Sequence, residues 1–356
     1  MIHTLRSEIN SCLRRFDVDY RHFIRQTPLW ALPGAVLGVD CAQVWLKLEH
    51  LQSGGSFKTR GALHRLLSND VPASGVVIAS GGNAGIATAL AAQLLGVPCE
   101  VFLPEVSSSA KRERLRSLGA TVTVTGAAYA DAYAACLARQ QITGALLNHA
   151  YDQQDVVVGA GTIAAEVQAQ QGLPDTWLVS VGGGGLIAGI AAYVQAGVQG
   201  HEPSNAEANM QVPAHAQSQV QTQAQSAWSE KQGERSNSKV IAIEPELAPT
   251  LHAARAAGQP VDVAVSGIAA DSLGAKRIGH IGWQVAQTAV HDALLVSDDA
   301  IRSAQCWLWQ ELKLAVEPAA ALGLAALQTG AYKPKADETV CLVLCGANID
   351  PASLVA

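Results

Sequence analysis

A chain of 356 residues is long enough for two domains, or for one large α/β domain with an insertion. A net charge of -6 gives no basic footprint for nucleic acid, and no apolar run reaches the length of a membrane span. Polar residues begin at once with Arg6, Glu8 and Asn10, so no signal-peptide h-region is expected. The seven cysteines are odd in number, scattered and free of any C-x-x-C, and the ten histidines form no H-E-x-x-H. Neither a disulfide framework nor a structural zinc site is expected, and the reading is a cytoplasmic, thiol-reduced protein.

In chain order, Ile2, Leu5, Ile9, Leu13 and Phe16 fall at helical spacing and predict an amphipathic helix or two over 2–24. Thr27-Pro28-Leu29 break it and start an extended segment. Residues 44–49 read as a short strand and Ser53-Gly54-Gly55 as a turn. Ser56 then reads as the N-cap of a helix whose first turn carries Lys58. A lysine at a helix N-terminus loses stabilisation of its ammonium form, which lowers its pKa and improves it as a nucleophile toward an aldehyde.

Asn, Asp, Pro and Gly cluster over 69–75 and mark a boundary. Beyond it, strands over 76–79, 97–103, 121–124 and 145–147 alternate with helices ending at 95, 118 and 141. The loop Ser80-Gly81-Gly82-Asn83-Ala84-Gly85 opens the first of these helices. This rhythm predicts a small doubly wound domain over 71–149, with a large parallel-sheet domain built from 1–70 and 150–356.

A strand over 176–181 runs into Gly182-Gly183-Gly184-Gly185 and a helix from Leu186. Several N–H groups then face one anion with a helix dipole behind them; the spacing is not G-x-G-x-x-G, so a phosphate is favoured over a dinucleotide. Residues 200–238 are rich in Gln, Ala, Ser, His and Asn and read as a disordered surface insertion. A strand over 240–243 ends in Glu244-Pro245, a helix covers 298–314, and Glu317-Pro318 opens another. A last buried strand over 340–344 ends in Cys345-Gly346-Ala347-Asn348. The sequence ends soon after, and no regulatory domain is expected.

The run Ser56-Phe57-Lys58-Thr59-Arg60-Gly61-Ala62 resembles the lysine motif of the fold type II (β-family) pyridoxal-phosphate enzymes, in their serine/threonine dehydratase branch. Three further signatures follow in order over nearly the whole chain. The resemblance implies a large parallel-sheet domain plus a smaller doubly wound one, with Lys58 carrying pyridoxal 5'-phosphate covalently and Phe57 beside its ring. Asn83 would meet the cofactor's 3'-oxygen. Ser80 and the backbone of Gly81, Gly82, Asn83 and Ala84 would hold the substrate carboxylate. Gly182, Gly183, Gly184, Gly185 and Leu186 would hold the phosphate, and Cys345 would stand at the pyridine nitrogen. Glu244, the carbonyl of Ala248 and Thr250 match a cation site of the family, where a hydroxyl at Thr250 suits a monovalent ion such as potassium. Residues 266–279 resemble the segment bordering the substrate, with Lys276 and Arg277 facing either it or water.

The activity so implied is deamination of L-serine or L-threonine to a 2-oxo acid and ammonia, by a homodimer acting on a small-molecule amino acid. Rival readings are serine racemase, 3-hydroxyaspartate dehydratase and a non-catalytic pyridoxal-phosphate-binding regulator. Racemisation needs an acid–base group on each face of the carbanion. Serine racemase carries a serine directly before the Gly-Asn of the second signature; here that position is Gly81, which has no proton to give.

Overall fold

The computed structural model describes residues 2–199 and 238–354. All of the insertion read over 200–238 except Ser238 lies outside the described residues. Helix α1 (Ile2–Asp19) buries Leu5, Ile9, Cys12 and Phe16 along one stripe. Strands β1 (Leu29–Pro33) and β2 (Gln43–Lys47) pair antiparallel, and the chain then enters α2 (Lys58–Leu67).

Next, β3 (Val76–Ala79), β4 (Cys99–Leu103), β5 (Thr121–Val124) and β6 (Leu146–Leu147) alternate with α3 (Asn83–Leu95), α4 (Ser109–Ser117) and α5 (Tyr129–Thr143). These strands form one parallel sheet in the order β5-β4-β3-β6. The chain then returns through α6 (Gln154–Gln171), β7 (Thr176–Ser180), α7 (Gly185–Gln199), β8 (Lys239–Pro245) and α8 (Thr250–Ala257). It ends with α9 (His280–Ala289), β9 (Asp292–Val296), α10 (Asp298–Leu312), α11 (Pro318–Gln328) and β10 (Thr339–Val343). The larger sheet runs β1-β2-β10-β7-β8-β9, parallel everywhere except at β1. The expected α/β architecture, a large sheet domain beside a smaller doubly wound one, is the one observed.

Helix α6 has no counterpart in the sequence reading. Every residue from Val156 to Val167 is buried, so the segment has no polar face and no amphipathic period to read. It reaches its neighbours through glycine: a Cβ on Gly159 would lie 2.5 Å from the Arg60 carbonyl oxygen. The reading of Ser56 as N-cap needs correction. Helix α2 starts one residue later, Phe57 takes the cap position without a side-chain bond, and Ser56 is extended at φ -161°. Ser56 bridges to Gly346, which holds its backbone extended and leaves its buried hydroxyl without a partner.

Beneath α2 lies a buried group of charges. Arg60 donates from Nε and Nη2 to the two oxygens of Glu49, both at 2.8 Å, and from Nη1 to Glu166 at 3.0 Å. Lys47 pairs with the other oxygen of Glu166 and donates to the Thr27 carbonyl at 2.8 Å and to Gln170 at 3.0 Å. None of these four charged side chains is more than 3% exposed. Burial opposes the charge on Glu49, yet Arg60, with Lys47 and the Thr27 hydroxyl, more than offsets it and holds that carboxyl below its ordinary range. Two cations thus balance two carboxylates, and removing one partner leaves buried charge uncompensated. Arg60→Ala is expected to cost roughly 3–5 kcal/mol of stability, read as a lower midpoint in urea at unchanged slope; a midpoint within error of the parent would show the group to be dispensable.

Candidate active site

Lys58 stands in the first turn of α2, its side chain half-buried between the two sheets. Its Nζ donates to the Ala150 carbonyl at 2.7 Å and lies 5.0 Å from the centre of the Phe57 ring. Burial pushes its pKa down to about 8, with Cys345 and Glu317 pulling the other way. The direction is the one expected from sequence, but burial is the main cause rather than the helix end. Lys58 shares a small cavity with Ala62, Ala84, Asn148, His149, Ala150 and Val156.

The Gly182–Gly185 run joins β7 to α7 and faces the same cleft. Gly184 has φ +88°, a conformation that side chains disfavour. The ring of Tyr151 lies over the loop so closely that a Cβ on Gly183 would come within 2.2 Å of it. Asp152, the next residue, accepts the N–H groups of His280 and Ile281, both at 2.9 Å, which satisfies the start of α9 and anchors the segment that carries Tyr151. Segment 266–279 packs on the loop from the other side: Cβ atoms on Gly182 and Gly184 would lie 3.1 Å from Leu273 Cα and 3.0 Å from the Ile278 side chain. Lys276 and Arg277 turn to water, and Arg277 pairs with Asp262 at 2.7 Å. Asp271 instead pairs across the cleft with Lys111 of α4.

The loop from Ser80 to Ala84 joins β3 to α3, with Asn83 as the first helical residue. A side chain at Gly81 would point at Leu103, 2.9 Å from its Cδ2, with the Lys111 stem 3.9 Å away. Asn83 is already engaged: Nδ2 lies 2.8 and 2.9 Å from the two carboxyl oxygens of Glu317, and Oδ1 accepts from Asn348 Nδ2 at 2.6 Å. Cys345 follows β10 at 6% exposure, and its thiol is pushed up by burial, so it stays neutral. Its carbonyl accepts from Phe57 N at 3.1 Å, which ties the end of β10 to the start of α2. Glu317 is the residue sequence reasoning missed. It was visible only as a glutamate between the apolar run Leu314-Ala315-Val316 and Pro318, a pattern that marks a helix start and says nothing of what the carboxyl meets.

The remaining candidates cluster behind the glycine loop. Glu244 is fully buried and accepts from Leu251 N at 2.8 Å, His252 N at 2.7 Å and the Thr250 hydroxyl at 3.0 Å. It therefore caps α8 as the structure stands, and burial raises its pKa. The single Thr250 hydroxyl hydrogen is shared between Glu244 and the Gly182 carbonyl, the latter at 2.5 Å, and the Thr250 N–H donates to the Ala248 carbonyl at 3.2 Å.

Residues 20–346 match the pyridoxal-phosphate dependent enzyme family. The chain belongs to it. An L-threonine ammonia-lyase of Geobacter sulfurreducens is 35% identical over 86% of this chain and 67% of its own. A phenylserine dehydratase of Ralstonia pickettii is 30% identical over 94% and 91%. Among solved structures, a threonine deaminase from T.th. superposes with a TM-score of 0.78 at 30% identity, covering 97% of this chain and 98% of its own. Maize serine racemase gives 0.80 at 26%, covering 98% and 95%.

The residues present fit the family's cofactor. Glycines stand where Cβ atoms would collide and block the loop, the loop opens a helix that favours an anion, and an amine of depressed pKa faces the cleft. The amine gives a pH dependence with a definite sign. Lys58 is neutral, and able to attack an aldehyde, above its lowered pKa. The rate at which cofactor-free protein takes up pyridoxal 5'-phosphate is expected to rise through a midpoint near 8. Stopped-flow absorbance across pH measures it; a midpoint at an ordinary lysine value of about 10.4 would refute the depressed pKa.

Proposed function

We propose that this family member deaminates L-serine or L-threonine, eliminating water to release a 2-oxo acid and ammonia. The observation that carries the reading is the half-buried Lys58 amine on the Ala150 carbonyl, in a cavity that Ala84 also lines and next to Tyr151, which packs on the glycine loop. The relatives named as ammonia-lyase and dehydratase support it.

In this reading, N–H groups of Gly182 to Leu186 would hold the cofactor phosphate, Asn83 would serve the 3'-oxygen, and Phe57 would line the ring's place. The Ser80 hydroxyl and the N–H groups from Gly81 to Ala84 orient the substrate carboxylate. When bound, pyridoxal phosphate supplies an electron sink conjugated to the substrate Cα. Lys58 Nζ removes the Cα proton, with the Ala150 carbonyl steering the amine. Cys345, a neutral thiol, cannot hold a ring nitrogen protonated as a carboxylate would, so the sink is modest. The enzyme works as a cytoplasmic homodimer in the same reading.

Racemisation is disfavoured at Gly81, where no side chain can return a proton to the far face. Because a serine there must first displace Leu103, the unmodified protein is the cleaner test. L-Serine is expected to give pyruvate with almost no D-serine, and Lys58→Ala to lose turnover while keeping its fold by circular dichroism. Chiral chromatography of the amino acid left after partial turnover decides: D-serine forming as fast as pyruvate would overturn the dehydratase reading.

A monovalent cation at Glu244, the Ala248 carbonyl and Thr250 completes the proposal. A buried carboxyl whose pKa burial raises gains from a cation beside it, and Thr250 links that position to the Gly182 carbonyl. Activity is then expected to require potassium or ammonium and to survive a divalent chelator. Loss of activity in the chelator, restored by magnesium, would replace it with a divalent site.

A further inference from the structure

Glu317 precedes Pro318 at the start of α11 and is 3% exposed. Both of its carboxyl oxygens reach Asn83 Nδ2, at 2.8 and 2.9 Å, and Oε1 also accepts from Asn348 N at 3.0 Å. Asn348 Nδ2 donates to Asn83 Oδ1 at 2.6 Å and to the Gly54 carbonyl at 2.8 Å. Glu317 N donates to the Gly346 carbonyl at 2.9 Å, next to Cys345. A Cβ on Gly346 would lie 2.3 Å from Glu317 Oε1, so only glycine admits the carboxyl here. One buried carboxyl therefore joins the start of α3 to the chain just after β10, and Asn348 extends the link to the turn before Lys58.

The chemistry of these groups is one-directional. A terminal amide is nearly symmetric in shape, so sterics alone do not decide which end of Asn83 faces a ligand. Asn348 Nδ2 can only donate, which turns Asn83 Oδ1 toward it. A carboxylate can only accept, which turns Asn83 Nδ2 the other way. Asn83 Nδ2 carries two hydrogens, so it can keep one on Glu317 and offer the other outward.

We infer that Glu317 is a positioning residue: with Asn348 it locks Asn83 so that an N–H, and not the carbonyl, meets the cofactor's 3'-oxygen, and its charge beside that oxygen sets which protonation state of the bound cofactor is favoured. The inference rests on the cofactor reading above, with Lys58 and Asn83 in the roles given there. Burial raises the pKa of Glu317, with the bonds from Asn83 and Asn348 acting against it, so the carboxyl responds to what its partners donate.

The test uses holoenzyme of the parent, Glu317→Gln, Asn83→Ala and the double variant. It reads the absorption spectrum of the bound cofactor against pH and the Kd for pyridoxal 5'-phosphate. Gln keeps the volume of Glu but presents an amide whose NH2 cannot accept from Asn83 or Asn348. The spectral midpoint is expected to move and the Kd to rise roughly tenfold or more, as for loss of a buried hydrogen bond to a charged group. Asn83→Ala should do the same, and the double variant should be no worse than Asn83→Ala, because Glu317 acts through Asn83. A parent-like midpoint and Kd in Glu317→Gln, or additive effects in the double variant, would overturn the inference. If Glu317→Gln fails to fold, Asn348→Ala, at an exposed position, takes its place: it frees Asn83 Oδ1 and should move the midpoint, and an unmoved midpoint counts against the role. Borohydride reduction and peptide mapping of the parent separate the two readings. Label absent from Lys58 would sink the cofactor assignment itself, whereas label on Lys58 with additive effects would sink only the role of Glu317.

Discussion

The placement of Lys58 depends on the charges buried beneath it. Arg60, two residues further along α2, is clamped by Glu49 from the turn that follows β2 and by Glu166 from α6. Buried ionic groups tolerate little misplacement, because each unpaired charge or hydrogen-bonding group costs several kcal/mol. The clamp therefore fixes the rotation of α2 as well as its position. With Arg60 turned into the core, Lys58 is left facing the cleft and the Ala150 carbonyl. Gly61 completes the arrangement, since a Cβ there would lie 2.7 Å from the Val156 carbonyl oxygen and push α2 off α6. The lysine motif thus encodes three directions, one residue for each.

The cleft gets its electrostatic character from backbone more than from side chains. Helices α3 and α7 both begin at it, each through a glycine-containing turn that brings free N–H groups forward. Such a site favours anionic groups through backbone N–H donors, which carry no formal charge to desolvate. Among the ionisable side chains that reach it, Lys58, His149, Cys345 and Glu317 are each shifted by burial toward their neutral forms. Proton positions there are consequently set by the neighbours of each group, which is the condition for acid–base chemistry near neutral pH.

The small and large domains meet across this cleft through few polar contacts. Asn83 reaches Glu317 and Asn348 on one side, and Lys111 reaches Asp271 at the exposed rim. The Ser80–Ala84 loop belongs to the small sheet, whereas the lysine, the glycine loop and Cys345 belong to the large one. The Ser80–Ala84 loop and the large sheet are therefore joined through these contacts.

How much was legible in the sequence follows from the range of each signal. The βα rhythm, the lysine run, the Ser-Gly-Gly-Asn loop and the four glycines are local patterns, and each is dictated by backbone geometry over fewer than about ten residues, the scale of turns and caps. They were readable, and with them the fold class and the family. Helix α6 was not, because complete burial erases the amphipathic period that announces a helix. Nor was the partner of Asn83, which lies 234 positions away in Glu317. The orientation of Gly81 toward Leu103, the turn of Lys276 and Arg277 to water and the extended Ser56 were likewise decided by packing between distant segments. Sequence alone determined which chemical groups this protein brings to its site. Tertiary structure decided which of them touch and in what protonation state, because burial and hydrogen-bond partners arise only when remote stretches of chain converge.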